Sequence, residues 1–240
     1  MKKHQRENEI ALSYLNLQTP QQNRGNILVF FIVTLDLIGL LPLLAYPYAW
    51  DYFIAAIIPV AIIHLWAILY IIDPYRFERS YYLFFGIYGF INTYVYFLAT
   101  QKLMYAHLSI TSPIPLIVGA TLYGGLLITF NIFNIKALYS GFYAKMQKNG
   151  TKVNVSPIIA FSGVGYFIAQ LLMSVVYSAS FTAILLVSLI SLLAIVTAFF
   201  STFVHKYFFI KKNFSLVKEI YPDFGLPKSQ RRTYQKKKKK

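Results

Sequence analysis

The chain has 240 residues, 57% of them hydrophobic and only 13% charged, with a formal net charge of +15 and no Cys. It is too apolar for a disordered segment, and without thiols it holds neither disulfides nor thiolate-bound zinc or iron–sulfur. Its apolar residues fall in blocks long enough to cross a bilayer, which argues against an ordinary soluble domain of this length.

Residues 1–26 read as a basic N-terminal segment with one short amphipathic helix over Glu7–Gln18. Ile10, Tyr14 and Leu17 share a face at i, i+4, i+7 spacing, with Ala11 and Leu15 beside them. Glu7 and Glu9 suit the positive end of the helix dipole, and Pro20 is expected to end the helix. So short a helix is marginal alone in water, so it should lie on the inner leaflet or dock on the bundle.

A span needs about 20 apolar residues to cross a core of about 30 Å. Six segments qualify: 27–48, 52–72, 81–101, 113–135, 157–177 and 181–204. Lipid offers no partners for free backbone N–H and C=O groups, so each should be a helix. Runs such as ILVFFIVTL lack the alternation of a β-barrel. The expected fold is all-α: one polytopic six-helix membrane domain over 27–204, with a basic tail over 205–240. Pro42, Pro47 and Pro59 predict kinks in the first hairpin.

Three residues form a candidate intramembrane polar cluster: Asp36, His64 and Asn92. At the helical rise, Asp36 and His64 lie about 12–14 Å deep on neighbouring antiparallel helices, and Asn92 about 16 Å deep on the third. An unpaired Asp at such depth costs about 3 kcal/mol, so Asp36 should seek a donor, with His64 first and Asn92 next. The third span also carries Thr93, Tyr94 and Tyr96 and should face protein rather than lipid.

Span four carries the small-residue pairs Ala120/Gly124 and Thr121/Gly125, span five Gly165/Ala169, and span six the stripe Ser191, Ala194, Ala198, Ser201. Such faces let helix backbones approach closely, within the bundle or, alternatively, in a homo-oligomer. Asn131, Asn134 and Gln170 are expected to bridge helices. The 136–156 loop extends span four with an apolar stripe of Leu138, Tyr139, Phe142, Tyr143 and Met146, suited to the interface or to a partner.

The tail holds 12 of the 23 basic residues. Lys206, Lys211, Lys212, Arg231 and Arg232 are the candidate contacts for anionic lipid headgroups, and KSQRRTYQKKKKK reads as low-complexity and disordered. With only Tyr234 to stack on bases, nucleic acid is not its expected target. One set of connecting segments holds 22 Lys and Arg, the other only Lys102. Both termini are therefore expected in the cytoplasm. The first apolar run is too long for a cleaved leader and reads as a signal-anchor. Heavy use of Lys, Asn, Ile, Phe and Tyr points to the plasma membrane of a low-GC bacterium.

Catalytic patterns are missing. There is no Gly-Lys pair for a phosphate loop, no His-Glu-x-x-His, and no second deep Asp beside Asp36. FSGVGY at 161–166 has glycines and a serine in the wrong order for a nucleophile elbow. The expectation is a non-enzymatic membrane protein without cofactor or metal, an accessory, immunity or scaffold factor acting on another membrane protein or a toxin. The alternative is a small permease or permease subunit built on the kinked first hairpin.

Overall fold

The computed structural model describes residues 9–148 and 179–231. Every regular element there is helical: α1 Pro20–Leu44, α2 Trp50–Ile72, α3 Glu78–His107, α4 Ile114–Tyr139, α5 Phe142–Lys148, α6 Ala179–Phe200, α7 Phe203–Lys212 and α8 Phe214–Ile220. Five helices are long and apolar enough to cross a membrane: α1 to α4, and the run Phe181–Lys212 through α6 and α7. The predicted span 157–177, with Gln170, Gly165 and Ala169, lies outside the described residues.

The first span starts seven residues earlier than the apolar run suggests. Pro20 opens α1 rather than closing the helix before it. Thr19 is the N-cap; its hydroxyl oxygen accepts from the Gln22 N–H, and the Gln22 side chain accepts from the Thr19 N–H. Proline suits the first helical position because its missing N–H has no partner there anyway. The preceding helix ends at Tyr14, and its described part is residues 9–14. It docks on the bundle: Ala11 and Leu15 are buried, and Tyr14 packs edge-on to Phe209 and stacked on Tyr143.

Helix α3 is the central post, the most buried of the five, with α1, α2, α4 and the α6–α7 run around it. Its tyrosines and phenylalanines fill the core: Tyr81, Phe84, Tyr88 and Tyr96 are fully buried. Lipid tails are as apolar as these side chains, so close packing and hydrogen bonds have to hold such helices together. The closest approach is between α3 and the break in the sixth predicted span. A Cβ on Gly89 would sit 2.7 Å from the Ser201 backbone nitrogen, and one on Gly86 2.5 Å from that of Val204. At that point the helix switches to tighter bonds, Ser201 N–H to Ala198 C=O and Thr202 N–H to Phe199 C=O, and the two hydroxyls cap the same carbonyls. Thr93 and Thr197 join hydroxyls across the contact at 3.0 Å.

The basic residues Arg24, Arg76, Arg79, Lys136, Lys206, Lys211 and Lys212 gather at one end of the bundle, and Asp51 and Lys102 lie at the other. At the basic end the chain stays ordered beyond α7. Phe224 is buried, and the Glu78 carboxylate at the start of α3 accepts from the Gly225 N–H at 2.6 Å and pairs with Arg231. The tail is thus folded as far as Arg231, into the start of the stretch from Lys228 that reads as disordered. One buried carboxylate and one aromatic anchor account for the difference.

Candidate functional site

The middle of α1, Phe30–Leu40, is π-helical, with bonds reaching five residues back, as from the Leu41 N–H to the Asp36 carbonyl. The next residue, Pro42, brings no N–H of its own to the ladder. Helix α3 places side-chain donors on carbonyls of this stretch, where lipid would supply none. Tyr88 donates to the Phe30 carbonyl at 3.0 Å and Tyr96 to that of Thr34 at 2.8 Å. The Thr34 hydroxyl also donates to Phe30, at 2.6 Å. The Asn92 amide then donates to the Thr34 and Tyr88 oxygens at 3.2 and 3.0 Å. Two amide protons meet two hydroxyl oxygens, whose own protons meet one carbonyl.

Asn92 therefore belongs to this inner network and not to the Asp36–His64 pair. Those two do come together. His64 Nε2 lies 3.3 Å from Asp36 Oδ1 and 3.4 Å from Oδ2, and Phe31 sets its ring edge-on to the imidazole. The other ring nitrogen, Nδ1, is 2.8 Å from the Val60 carbonyl. A carbonyl only accepts, so Nδ1 carries the proton there and Nε2 turns to the carboxyl group. Nε2 donates to a carboxylate or accepts from a carboxylic acid, according to which of the two groups holds the proton.

Among the described residues nothing seals the pair. The two side chains remain 37% and 38% exposed, on a face whose neighbours Ile32, Val33, Leu37, Leu65 and Ile68 are also exposed. It is a polar spot on an otherwise apolar outer wall between α1 and α2.

Lys102, the single cation assigned to the far-side segments, points inward. It is buried, and its ammonium donates to the carbonyls of Pro42, Leu43 and Ala45 at 2.8, 3.0 and 2.5 Å. These belong to the last turn of α1, where carbonyls lack intrahelical donors and the dipole favours a cation. Its position near the end of α3 is legible in the sequence; its role as the cap of another helix is not.

The predicted packing faces divide. Ala198 and Ser201 are fully buried, while Ser191 and Ala194 line an apolar cavity of about 310 Å³ between α3, α4 and α6. Among the described residues nothing lies within 4 Å of a Cβ built on Gly124 or Gly125, and Ala120 and Thr121 are exposed. The close helix contact instead uses Gly86 and Gly89, visible in the sequence as GIYG but not singled out by the pattern chosen. Asn131 donates to the Ser201 hydroxyl at 2.8 Å, and Asn134 joins Tyr14 and Tyr143 at 2.8 and 2.9 Å. Burial holds the Tyr14 phenol well above its ordinary range, so it stays a neutral hydrogen-bonding group. In the stripe after α4, Leu138 is buried and Tyr143 packs on Tyr14, while Tyr139, Phe142 and Met146 are exposed.

The five candidate lipid contacts also divide. Lys211 and Lys212 are exposed. Lys206 is engaged within the fold, donating to the Asn16 carbonyl at 2.8 Å with its ammonium 4.6 Å above the Tyr82 ring. Arg231 is likewise engaged, paired with Glu78 and donating from Nε to the Leu226 carbonyl at 2.9 Å. Arg232 lies outside the described residues. The basic count of the tail does not reveal that a buried carboxylate and a backbone carbonyl claim two of these groups.

Among the described residues no three His, Asp or Glu side chains converge as metal ligands. No family model, curated protein or solved structure matches the chain. Fold and site together describe an all-helical bundle with membrane-length helices, a closed polar network at its centre and one open polar pair on its wall.

Proposed function

We infer that this chain is a non-enzymatic, multi-pass protein of the plasma membrane of a low-GC bacterium, an accessory, immunity or scaffold factor. It acts by seating another membrane protein against the α1–α2 wall. One observation carries this reading: Asp36 and His64 stand more than a third exposed on an apolar surface, well inside two membrane-length helices. Polar groups facing hydrocarbon are costly, and intramembrane ionisable residues almost always face protein or a water-filled cavity. A partner helix offering a hydroxyl or amide would satisfy the carboxyl lone pairs the imidazole leaves free.

The proposed arrangement has six spans with both termini in the cytoplasm. The charge bias supports it, as does helix direction. α4 and the α6–α7 run both point toward the basic end. Single thiols test this without background, because the native chain has no Cys. Arg76→Cys and Lys148→Cys should label only from the cytoplasm and Asp51→Cys only from outside; Asp51 and Lys148 labelling from one side would overturn it. Ser80 is a poor probe, since its hydroxyl is held between Tyr70 and the Phe77 carbonyl.

A second reading, the small permease or permease subunit, draws on the Asp36–His64 contact beside a π-helical stretch. It has less support. The network behind the pair is packed shut, and the internal prolines of α1 and α2 have no counterpart inside α4 or α6, whereas transporters often pair interrupted helices. The docking reading is tested by a photoreactive residue at Leu65, beside the pair, in the native membrane. A discrete protein adduct is expected there and none from Val196 on α6; adducts with lipid alone at both positions would refute it.

A further inference from the structure

At the basic end, a cavity of about 370 Å³ opens between the start of α3 and helices α7 and α8, lined by Arg79, Tyr207, Ile210, Lys211, Phe214 and Phe224. Four cations stand at or near it: Arg79, Lys211, Lys218 and Arg231. The carboxylates answer only part of that charge. Glu78 is taken by Arg231 and the Gly225 N–H, while Asp223 and the Pro222 carbonyl attend to Lys218. Burial lowers the Lys218 ammonium below its usual range, and the neighbouring Arg79 and Arg231 lower it further. Positive charge is in excess here.

Arg79 and Lys211 are the two cations left over. Among the described residues neither has an acceptor; Arg79 has only the Phe214 ring, 5.0 Å from its guanidinium carbon. Arg79 is nonetheless held in place. Gly225, at φ +70°, leaves open the space where a Cβ would collide with the arginine side chain, so the turn after α8 closes over it. A positioned guanidinium without a carboxylate, beside a free ammonium, is a phosphate-binding arrangement.

The level of the cavity selects the source of the phosphate. Arg79 lies at the first turn of α3 and Lys211 at the last turn of α7, where the apolar spans end and headgroups begin. Tyr207 and Ile210 provide an apolar wall for the glycerol region, and Phe208 is exposed on the same helix. We propose that this cavity binds the phosphate of an anionic phospholipid headgroup, with Arg79 and Lys211 as its ligands. The site rests on the membrane reading of the fold but not on the Asp36–His64 partner, and it differs from a diffuse attraction between tail and membrane.

Native mass spectrometry of the full-length protein, titrated in detergent with phosphatidylglycerol, tests it. The wild type should bind one phosphatidylglycerol at least tenfold more tightly than Arg79→Gln/Lys211→Gln, and Lys211→Gln alone should weaken binding several-fold. Lys145→Gln, exposed on α5 and outside the cavity lining, should leave binding unchanged. The tail lysines are present in every variant and contribute equally. Lys211 is exposed and makes no internal hydrogen bond, so its substitution is readable even if the double variant folds poorly. Equal binding by wild type and Lys211→Gln, or equal loss in Lys145→Gln, would overturn the site. Phosphatidylcholine in place of phosphatidylglycerol, and inorganic phosphate as competitor, identify the source. Phosphatidylcholine bound as tightly, or lipid displaced by millimolar phosphate, would overturn the lipid assignment.

Discussion

Gly89→Ala should destabilise the bundle by about 3 kcal/mol, the upper part of the usual range for overpacking a core. The added methyl would meet backbone rather than a pliable side chain: the Ser201 nitrogen at 2.7 Å, the Phe200 carbonyl carbon at 2.8 Å and the Phe200 Cβ at 2.9 Å. Relief requires moving α3 away from the α6–α7 break. That would lengthen the Thr93–Thr197 bond and loosen the Ser201 hydroxyl that accepts from Asn131. Gly86→Ala should act the same way one turn nearer the basic end. Gly25→Ala, on exposed helix with nothing within 4 Å of its Cβ, should instead gain up to about 1 kcal/mol from helix propensity. Thermal unfolding of the three variants in one detergent checks the order. A loss at Gly89 no larger than at Gly25 would remove this contact as the main helix–helix seam.

Asp36→Leu is the second large effect. It leaves His64 Nε2 facing a hydrocarbon side chain, at a cost of about 1–3 kcal/mol for an unsatisfied polar group. His64→Leu strands the carboxyl group and should cost about 3 kcal/mol at this depth. Because the two groups are in contact, removing both discards the unpaired partner as well. The double variant should then be more stable than the summed losses predict by about 1–2 kcal/mol, a coupling typical of residues in contact. Asp36→Asn keeps a hydrogen-bonding group and should lie near wild type in stability. Additive losses in a double-mutant cycle in detergent would separate the two residues energetically.

What the sequence disclosed and what it hid follow from range. Helix type and approximate span ends depend on local composition, and all five described predicted spans fall within eight residues of their helices at both ends. Matching depths of Asp36 and His64 follow from helical rise on adjacent antiparallel helices, so their juxtaposition was legible. The direction a face turns was not. Small residues mark where a backbone can approach another, yet Gly124 and Gly125 show the same chemistry as Gly86 and Gly89 and have no described neighbour. Lys102 reads as a loop-side charge because the carbonyls it caps are about 60 residues away in the chain. Arg231 reads as tail for the same reason: its carboxylate partner, Glu78, is 153 residues away. The π-helical stretch depends on donors from α3 and has no signature within α1 beyond Pro42.

The most direct measurement of the docking claim is the yield of the Leu65 photoadduct as the pair is altered in the native membrane. Asp36→Asn should keep most of the adduct, because an amide still offers hydrogen bonds to a partner helix. Asp36→Leu/His64→Leu should keep the bundle folded and lose the adduct, because the polar spot is gone while packing survives. An adduct of unchanged size and yield in the double leucine variant would contradict the account, since the partner would then be held by the apolar wall without Asp36 and His64.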